Sequence, residues 1–254
     1  VKRGMVFSDI NGIRLTRDNY RDLLYNQTSS SYTIKFSEIS YNQNNQCANI
    51  IPGQEDLTLV KSRIVKNPIH ISKIIEVEGQ KVGYLMYNQF VGVVESEGKD
   101  YNSELNNVFS NFLSNGINDL VVDLRYNPGG RISTSINLAS MITGQFNNQV
   151  FAKERWNSKL MNYWDENNPE SLLNRFTNKL SNNQSLFSLN LDRVFVLTSA
   201  RTASASELLI NGLDPYIDVI HIGDFTVGKN QGSITVYDYI NESRDKNPNH
   251  MYAM

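Results

Sequence analysis

The sequence predicts an α/β protein whose larger part is built on a largely parallel sheet. Continuous apolar runs at 120–124 and 194–197 are typical of strands buried on both faces. A helix is predicted over 102–113, where apolar residues recur at the spacing of one helical face. Short turns join strands and helices in alternation, which is the order of a parallel α/β core.

Composition limits the classes of protein that need to be considered. The chain has 254 residues, 40% of them hydrophobic, which is enough for one large or two smaller domains. A net charge of −2 provides no global field for nucleic acid or an anionic membrane. The single cysteine, Cys47, excludes an internal disulfide. No apolar run reaches the roughly 18 residues that span a bilayer.

Residues 1–66 form one predicted domain, and Pro68 lies near its boundary with the second. Asn11-Gly12 after an alternating segment is a strong signal for a two-residue hairpin. Thr16 is expected to cap a short helix that ends near Tyr25. The strands are predicted at 6–10, 32–36, 57–60 and 62–65, with a polar loop at 42–54.

Residues 67–254 form the second predicted domain, in which strands and helices alternate. The expected strands are 82–87, 120–124, 194–197, 217–222 and 233–240. The expected helices are 102–113, 133–142, 169–180 and 203–213. Gly144 is expected to end the second of these helices.

The segment 201–207, Arg-Thr-Ala-Ser-Ala-Ser-Glu, places serines at the start of an apolar helix. Free backbone N–H groups at a helix start favour developing negative charge, as an oxyanion hole does. An ordinary N-cap is the alternative interpretation of Ser204. Ser206 lies two residues further on, so only one of the two hydroxyls can face a given site.

Gly228-Lys229 lies on a turn after the predicted strand 217–222. A lysine among apolar walls loses solvation, which favours the neutral amine that can accept a serine proton. A solvated turn lysine is the alternative. The 25 residues from Ser204 to Lys229 let a helix run out and a strand return. The spacing therefore predicts a Ser/Lys dyad at one end of the sheet.

Other chemistries fit the sequence less well. Residues 223–229 match the G-x-x-x-x-G-K pattern of a phosphate-binding loop, but Asn230 stands where Ser or Thr is needed and a strand is predicted next. No nucleotide or other cofactor is therefore expected. No Ser-His-Asp triad is supported, and His221 is expected to be a core residue of an apolar strand. No spacing indicates a metal site.

The segment 123–130, Asp-Leu-Arg-Tyr-Asn-Pro-Gly-Gly, follows a buried strand at the sheet edge where open α/β sheets bind ligands. Paired glycines let backbone N–H groups approach a substrate carbonyl closely. The alternative interpretation is a tight turn in which Asp123 and Arg125 form a structural ion pair.

Together, the segments 123–130, 202–207 and 228–229 resemble the carboxy-terminal processing peptidases, or tail-specific proteases, in the form found in Bacteroides-type bacteria. The segment 4–12 is similar to the carboxylate-side half of a PDZ domain. The resemblance implies a ClpP/crotonase-like α/β catalytic core, expected to be incomplete at its C-terminus. It also implies a preceding PDZ-like domain in residues 1–66 that lacks its start.

For the site, the resemblance implies that Ser204 is the nucleophile and Lys229 the general base. The oxyanion hole is expected from the backbone N–H of Ala205 and of Gly129 or Gly130, which suggests that Gly130→Val would crowd the substrate carbonyl. The family often has a glutamine four residues after the lysine. Ser233 stands there and Gln231 lies nearby, so both are candidate supporting residues.

The implied activity is that of a serine endopeptidase that cuts protein or peptide substrates near their C-termini, without a metal, nucleotide or nucleic acid. The resemblance implies a periplasmic or cell-envelope location, with membrane attachment only through a segment outside this sequence. The alternative is a non-catalytic ligand- or peptide-binding protein on the same fold, or a scaffold that uses the PDZ half. The presence of both Ser204 and Lys229 favours the enzyme.

Overall fold

The computed structural model describes residues 4–26, 28–42, 44, 47–62, 66–239 and 246–253. The chain divides into two compact units, Val1–Lys66 and Asn67–Met254. Within the described ranges, no helix has the length and apolarity that a bilayer-spanning segment requires.

The first unit is a four-stranded antiparallel sheet with one short helix. Its order is β2-β1-β3-β4. The strands are β1 (Val6–Ile10), β2 (Ile13–Arg14), β3 (Ser31–Tyr41) and β4 (Cys47–Val60), and the helix is α1 (Tyr20–Leu24). The predicted hairpin is confirmed, because Asn11 and Gly12 join β1 and β2 with φ values of 48° and 77°.

Two predictions for this unit are wrong in extent. The predicted loop at 42–54 is largely strand, because β4 begins at Cys47 and pairs with β3 along its length. Pro52 is tolerated there because β4 is an edge strand. The helix begins at Tyr20, since the Thr16 hydroxyl accepts from backbone N–H groups in the preceding turn. The predicted strand 62–65 lies mostly outside the described residues.

The second unit contains eleven strands and four helices among the described residues. Its strands are β5 (Ile69–Val77), β6 (Gln80–Tyr87), β7 (Val93–Val94), β8 (Lys99–Asp100), β9 (Asp119–Asp123), β10 (Val150–Lys153), β11 (Leu173–Arg175), β12 (Arg193–Thr198), β13 (Asp218–Gly223), β14 (Thr235–Tyr239) and β15 (Lys246–Ala253). Its helices are α2 (Tyr101–Ser114), α3 (Ile132–Thr143), α4 (Ser158–Asn167) and α5 (Ala205–Leu213).

The main sheet of this unit has the order β13-β12-β9-β6-β5. The first four strands are parallel, and β5 is antiparallel to β6 at one edge. Val122 and Val196 are fully buried in neighbouring strands, as expected for strands covered on both faces. The predicted largely parallel α/β core is therefore confirmed. Three two-stranded sheets, β7-β8, β10-β11 and β14-β15, complete the described strands.

Helices α2, α3 and α5 contribute to one buried core. The periodic face of α2 buries Leu105, Phe109 and Phe112 as its spacing predicts. Helices α3 and α5 pack on each other, and the Ser135 hydroxyl of α3 donates to the carbonyl of Ala205 at 3.1 Å. The first turn of α5 is thereby held at a defined position over the sheet.

The helix predicted at 169–180 is wrong. The segment forms a 3₁₀ turn at Pro169–Leu172 and then β11, which pairs with β10. Leu172, at the end of the 3₁₀ turn, and Phe176, directly after β11, are both buried. The apolar spacing is therefore compatible with burial on either side of a short strand as well as on one face of a helix. The helix lies earlier, at α4, where the Asn157 side chain caps the backbone N–H of Leu160 at 3.1 Å.

His221 is not a core residue. It lies on the edge strand β13, its side chain is exposed, and its Nε2 contacts the Thr198 hydroxyl. The apolar pattern of β13 predicts a strand correctly, but an edge strand has a neighbour on one side only, so part of its surface stays in solvent.

Candidate active site

The site forms where β9 and β12 end side by side. Leu197 pairs with Asp123, and the Leu124 N–H donates to the Leu197 carbonyl at 2.9 Å. Each strand then enters a turn, which we call the glycine turn (residues 124–131) and the serine turn (residues 199–204). The two are joined by the Thr202 hydroxyl, which donates to the Leu124 carbonyl at 2.8 Å. Parallel topology thus brings both turns to one edge of the sheet.

Ser204 occupies a conformation that is rare for a residue with a side chain. Its φ is 58° and its ψ −116°, and it is the N-cap of α5. It lines a cavity of about 520 Å³. Ser206 is fully buried instead, and its hydroxyl donates to the Asn127 carbonyl at 3.1 Å. The structure therefore separates the two serines, one at a cavity and one within the packed interior.

Asn127 is a structural centre of the glycine turn that the sequence analysis missed. It is fully buried, its Nδ2 donates to the Tyr87 carbonyl at 2.9 Å, and its Oδ1 accepts from the Gly129 N–H at 2.8 Å. Its backbone carbonyl accepts from Ala203 at 3.2 Å. No local sequence pattern marks it, because its partners lie on distant segments.

The hydrogen bonds of the glycine turn show which of the three expected oxyanion donors is already used within the protein. The Gly129 N–H is used by Asn127. Among the described residues, the N–H groups of Gly130 and Ala205 donate to no other group. Gly130 has a φ of 145°, and a Cβ on it would lie 2.2 Å from the Phe90 carbonyl oxygen. A larger residue at Gly130 therefore clashes first with Phe90, rather than with the substrate carbonyl as expected.

Gly129→Ala is expected to lower the kcat/KM of any reaction that depends on Ser204 by at least about 100-fold. A Cβ there would lie 2.7 Å from the Ser204 Cβ and 2.9 Å from the Ala205 nitrogen, at a φ of +102°. The clash displaces the Ser204 side chain and the Ala205 backbone N–H together. Gly4→Ala is the matched control, because its φ of +94° is close to that of Gly129 but its Cβ meets nothing within 4 Å. Equal losses in the two variants would attribute the effect to backbone strain alone.

Lys229 lines the same cavity as Ser204. The expected apolar walls are not found around it, because it stands on the irregular segment 224–234 and its side chain is exposed. Its Nζ and the Ser204 hydroxyl are not hydrogen-bonded to each other in the described part of the chain. Contacts between catalytic groups often tighten only when a substrate is bound, so the shared cavity is the informative feature.

Glu207 joins the serine turn to the lysine segment. It is 8% exposed, and its carboxylate accepts the backbone N–H of Ser204 at 2.7 Å, of Lys229 at 2.9 Å and of Gly228. Burial alone raises the pKa of Glu207, but hydrogen bonds from Thr226 and these backbone groups outweigh it and hold the pKa below its usual value. The spacing of Ser204 and Glu207 matches a capping box, the one sequence signal that marks this residue.

Asp123 and Arg125 form an ion pair at 2.7 Å, with the Asp123 side chain fully buried. The Tyr84 hydroxyl also donates to Asp123 at 2.6 Å. Burial raises the pKa of Asp123, but the hydrogen bonds from Arg125 and Tyr84 outweigh it and lower the pKa. This pair anchors the start of the glycine turn, so its structural interpretation is correct.

Of the two candidate supporting residues, one lines the cavity and the other does not. Ser233 lines the cavity, whereas Gln231 is exposed and does not. After Lys229 the described chain continues into strand β14 rather than a helix, which contradicts a phosphate-binding loop. In the described ranges, no three His, Cys, Asp or Glu side chains cluster as metal ligands do.

Comparisons with known proteins indicate a family for the chain. The model of Peptidase family S41 matches residues 81–243. A protein from Bacteroides fragilis NCTC 9343, described as an S41 protease, is 30% identical, with a TM-score of 0.66. The alignment covers 95% of this chain but 59% of that one, so this chain spans little more than half of that protein's length.

Two further structures are less similar. The photosystem II D1 C-terminal processing protease is 18% identical, covered over 94% of this chain and 55% of its own, with a TM-score of 0.48. A protein from Parabacteroides merdae ATCC 43184, described as a peptidase, is 18% identical over 72% and 49% of the two chains, with a TM-score of 0.41. The fold likeness rests on the Bacteroides structure. No curated protein matches the chain.

Proposed function

The chain belongs to peptidase family S41, as its motifs predict, and from this premise we propose that the protein is a serine peptidase with a Ser204/Lys229 dyad. The observation that carries the proposal is the cavity that both residues line at the carboxyl edge of the sheet. Gly130 lines this cavity and Ala205 follows Ser204 in the chain, and the N–H groups of both are available as oxyanion donors.

In this mechanism, neutral Lys229 accepts the proton of the Ser204 hydroxyl as its oxygen attacks the scissile carbonyl. The N–H groups of Gly130 and Ala205 bind the oxyanion that forms. Protonated Lys229 then gives its proton to the leaving amine, and an acyl ester on Ser204 remains. Water, deprotonated by Lys229, hydrolyses the ester and restores the serine hydroxyl. Gly129 acts only through the shape of the turn in this scheme.

We also propose the finer assignments that the resemblance implies. These are a ClpP/crotonase-like core, a PDZ-like first unit, cleavage near protein C-termini and a location in the cell envelope. The small antiparallel sheet of the first unit, whose first strand and hairpin turn lie in the segment 4–12, supports the PDZ-like assignment. A PDZ domain binds extended C-terminal segments at a sheet edge, which would present a protein tail to the peptidase site.

The alternative is a protein that binds peptides without cutting them. The same cavity and sheet edge would serve such a protein equally well. The reactivity of Ser204 distinguishes the peptidase from the binding protein, because a protein that only binds peptides does not need a nucleophilic hydroxyl.

A fluorophosphonate probe is expected to label the full-length protein on Ser204, as located by mass spectrometry of the digested adduct. Lys229→Met should label slowly, because the amine that takes the serine proton is gone. A chelator and ATP should leave the rate unchanged. Absence of labelling, or a label on another residue, would favour the binding protein.

A further inference from the structure

The cavity beside Ser204 is lined by positive charge and by no negative charge. Arg131 and Lys229 are its charged lining residues, and none of the lining residues is acidic. The nearby carboxylate of Glu207 is outside the lining and is occupied by backbone N–H groups. Lys229 already has a role as the base of the proposed mechanism, so Arg131 is the charged lining residue that this mechanism does not use.

The Arg131 side chain has no structural partner. It is exposed, and its guanidinium makes no hydrogen bond or ion pair within the described ranges. Three other arginines of this unit, Arg125, Arg175 and Arg193, are paired with carboxylates. Among the described residues Arg155 and Arg201 are exposed and unpaired like Arg131, but they do not line the cavity. Arg131 is also the N-cap of α3, where a cation does not stabilise the helix. Neither ion pairing nor helix stability therefore accounts for a cation here.

The backbone of Arg131 is held firmly beside the proposed chemistry. Its N–H donates to the Phe90 carbonyl at 2.8 Å, and its carbonyl accepts from Ser135 at 3.2 Å. The preceding residue, Gly130, carries one of the two available oxyanion donors. The Arg131 side chain is therefore attached to the backbone one residue after Gly130, whose N–H would bind the substrate carbonyl.

We propose that Arg131 is a specificity-determining residue that binds a carboxylate of the substrate close to the scissile bond. The inference rests on the proposed peptidase function. A guanidinium can hold a carboxylate through two parallel hydrogen bonds, which fixes its orientation as well as its charge. The carboxylate comes either from an aspartate or glutamate side chain or from the free C-terminus of the substrate.

The test uses the full-length protein and a set of fluorogenic peptides built around a cleavage site first mapped in a random-sequence library. The peptides carry Glu, Gln or Lys next to the scissile bond, each with a free or an amidated C-terminus. They are measured with the unchanged protein and with Arg131→Gln and Arg131→Glu. Arg155→Glu is the matched control, since Arg155 is also exposed but does not line the cavity.

We expect kcat/KM to favour one carboxylate-bearing peptide over its neutral partner by about tenfold. Arg131→Gln should remove this preference, Arg131→Glu should reverse it in favour of Lys, and Arg155→Glu should preserve it. A Glu-over-Gln preference identifies a side-chain carboxylate, and an acid-over-amide preference identifies the C-terminus. No preference, or one that survives Arg131→Glu, would overturn the inference while leaving Ser204-dependent cleavage intact.

Binding separates this inference from the proposed function. The same peptides are titrated calorimetrically into the Ser204→Ala variant, with and without Arg131→Glu. A carboxylate-dependent affinity that Arg131→Glu abolishes supports the subsite even if no peptide is cleaved, whereas equal affinities refute it. Failure of every peptide to be cleaved in a Ser204-dependent way counts against the peptidase function alone.

Discussion

Ser204→Ala is expected to lower peptide cleavage by the full-length protein by about a million-fold, leaving only the small acceleration over the uncatalysed reaction that binding and the oxyanion donors provide. The variant removes the oxygen that forms the acyl ester and leaves only the binding groups and oxyanion donors. Its fold should persist, because the Ser204 backbone N–H still donates to Glu207. The measurement is kcat/KM on a quenched peptide, together with the free energy of unfolding in urea.

Ser206→Ala is the matched control for this prediction. Ser206 is buried and its hydroxyl donates to Asn127, so the variant should lose about 1 kcal/mol of stability and keep most of its activity. The reverse result, an inactive Ser206→Ala and an active Ser204→Ala, would move the nucleophile to Ser206 and refute the dyad as assigned.

Glu207→Gln is expected to lower kcat by about 100-fold with little change in KM. An amide has one acceptor oxygen and an NH₂ group, and the latter would face the backbone N–H groups of Ser204, Gly228 or Lys229. The serine turn and the lysine segment would then separate, while the rest of the cavity keeps its shape. If Glu207 only stabilised the fold, Glu207→Gln would lower the free energy of unfolding without a selective loss of kcat.

The pH dependence of stability provides an independent readout for Glu207. Its pKa in the folded protein lies below the unfolded value, so its carboxylate stabilises the fold above that unfolded value. This contribution is lost as the pH falls through the lowered folded pKa. Below about pH 4.3 the free energy of unfolding should therefore fall more steeply with acid in the unchanged protein than in Glu207→Gln.

Glu154→Gln is the control for Glu207→Gln. Glu154 is half-buried and accepts hydrogen bonds from Trp156 and Asn174, but it does not line the cavity. It should lose stability without a change in kcat. If both variants lost kcat equally, the coupling of the two segments by Glu207 would be refuted.

The strands and helices that the sequence predicted well are those whose pattern is local and strong. Strands β9 and β12 carry continuous apolar runs, and α2 carries a regular apolar face. The hairpin at Asn11-Gly12 depends on two adjacent residues that accept positive φ. The helix predicted at 169–180 was wrong because its apolar spacing is compatible with burial in either a helix or a strand. The pairing of β11 with β10 stabilises the strand.

The sequence by itself determined the α/β class, the alternation of strands and helices around β9, β12 and β13, and the motifs that identify the family. Each of these depends on residue type and spacing along the chain. Only the tertiary structure decided which serine lines the cavity, that Gly129 has already given its N–H to Asn127, and that Glu207 joins Ser204 to Lys229. These contacts link segments up to 79 residues apart, as between Asn127 and Ser206. Their geometry depends on the path of the backbone between them, which no local pattern encodes.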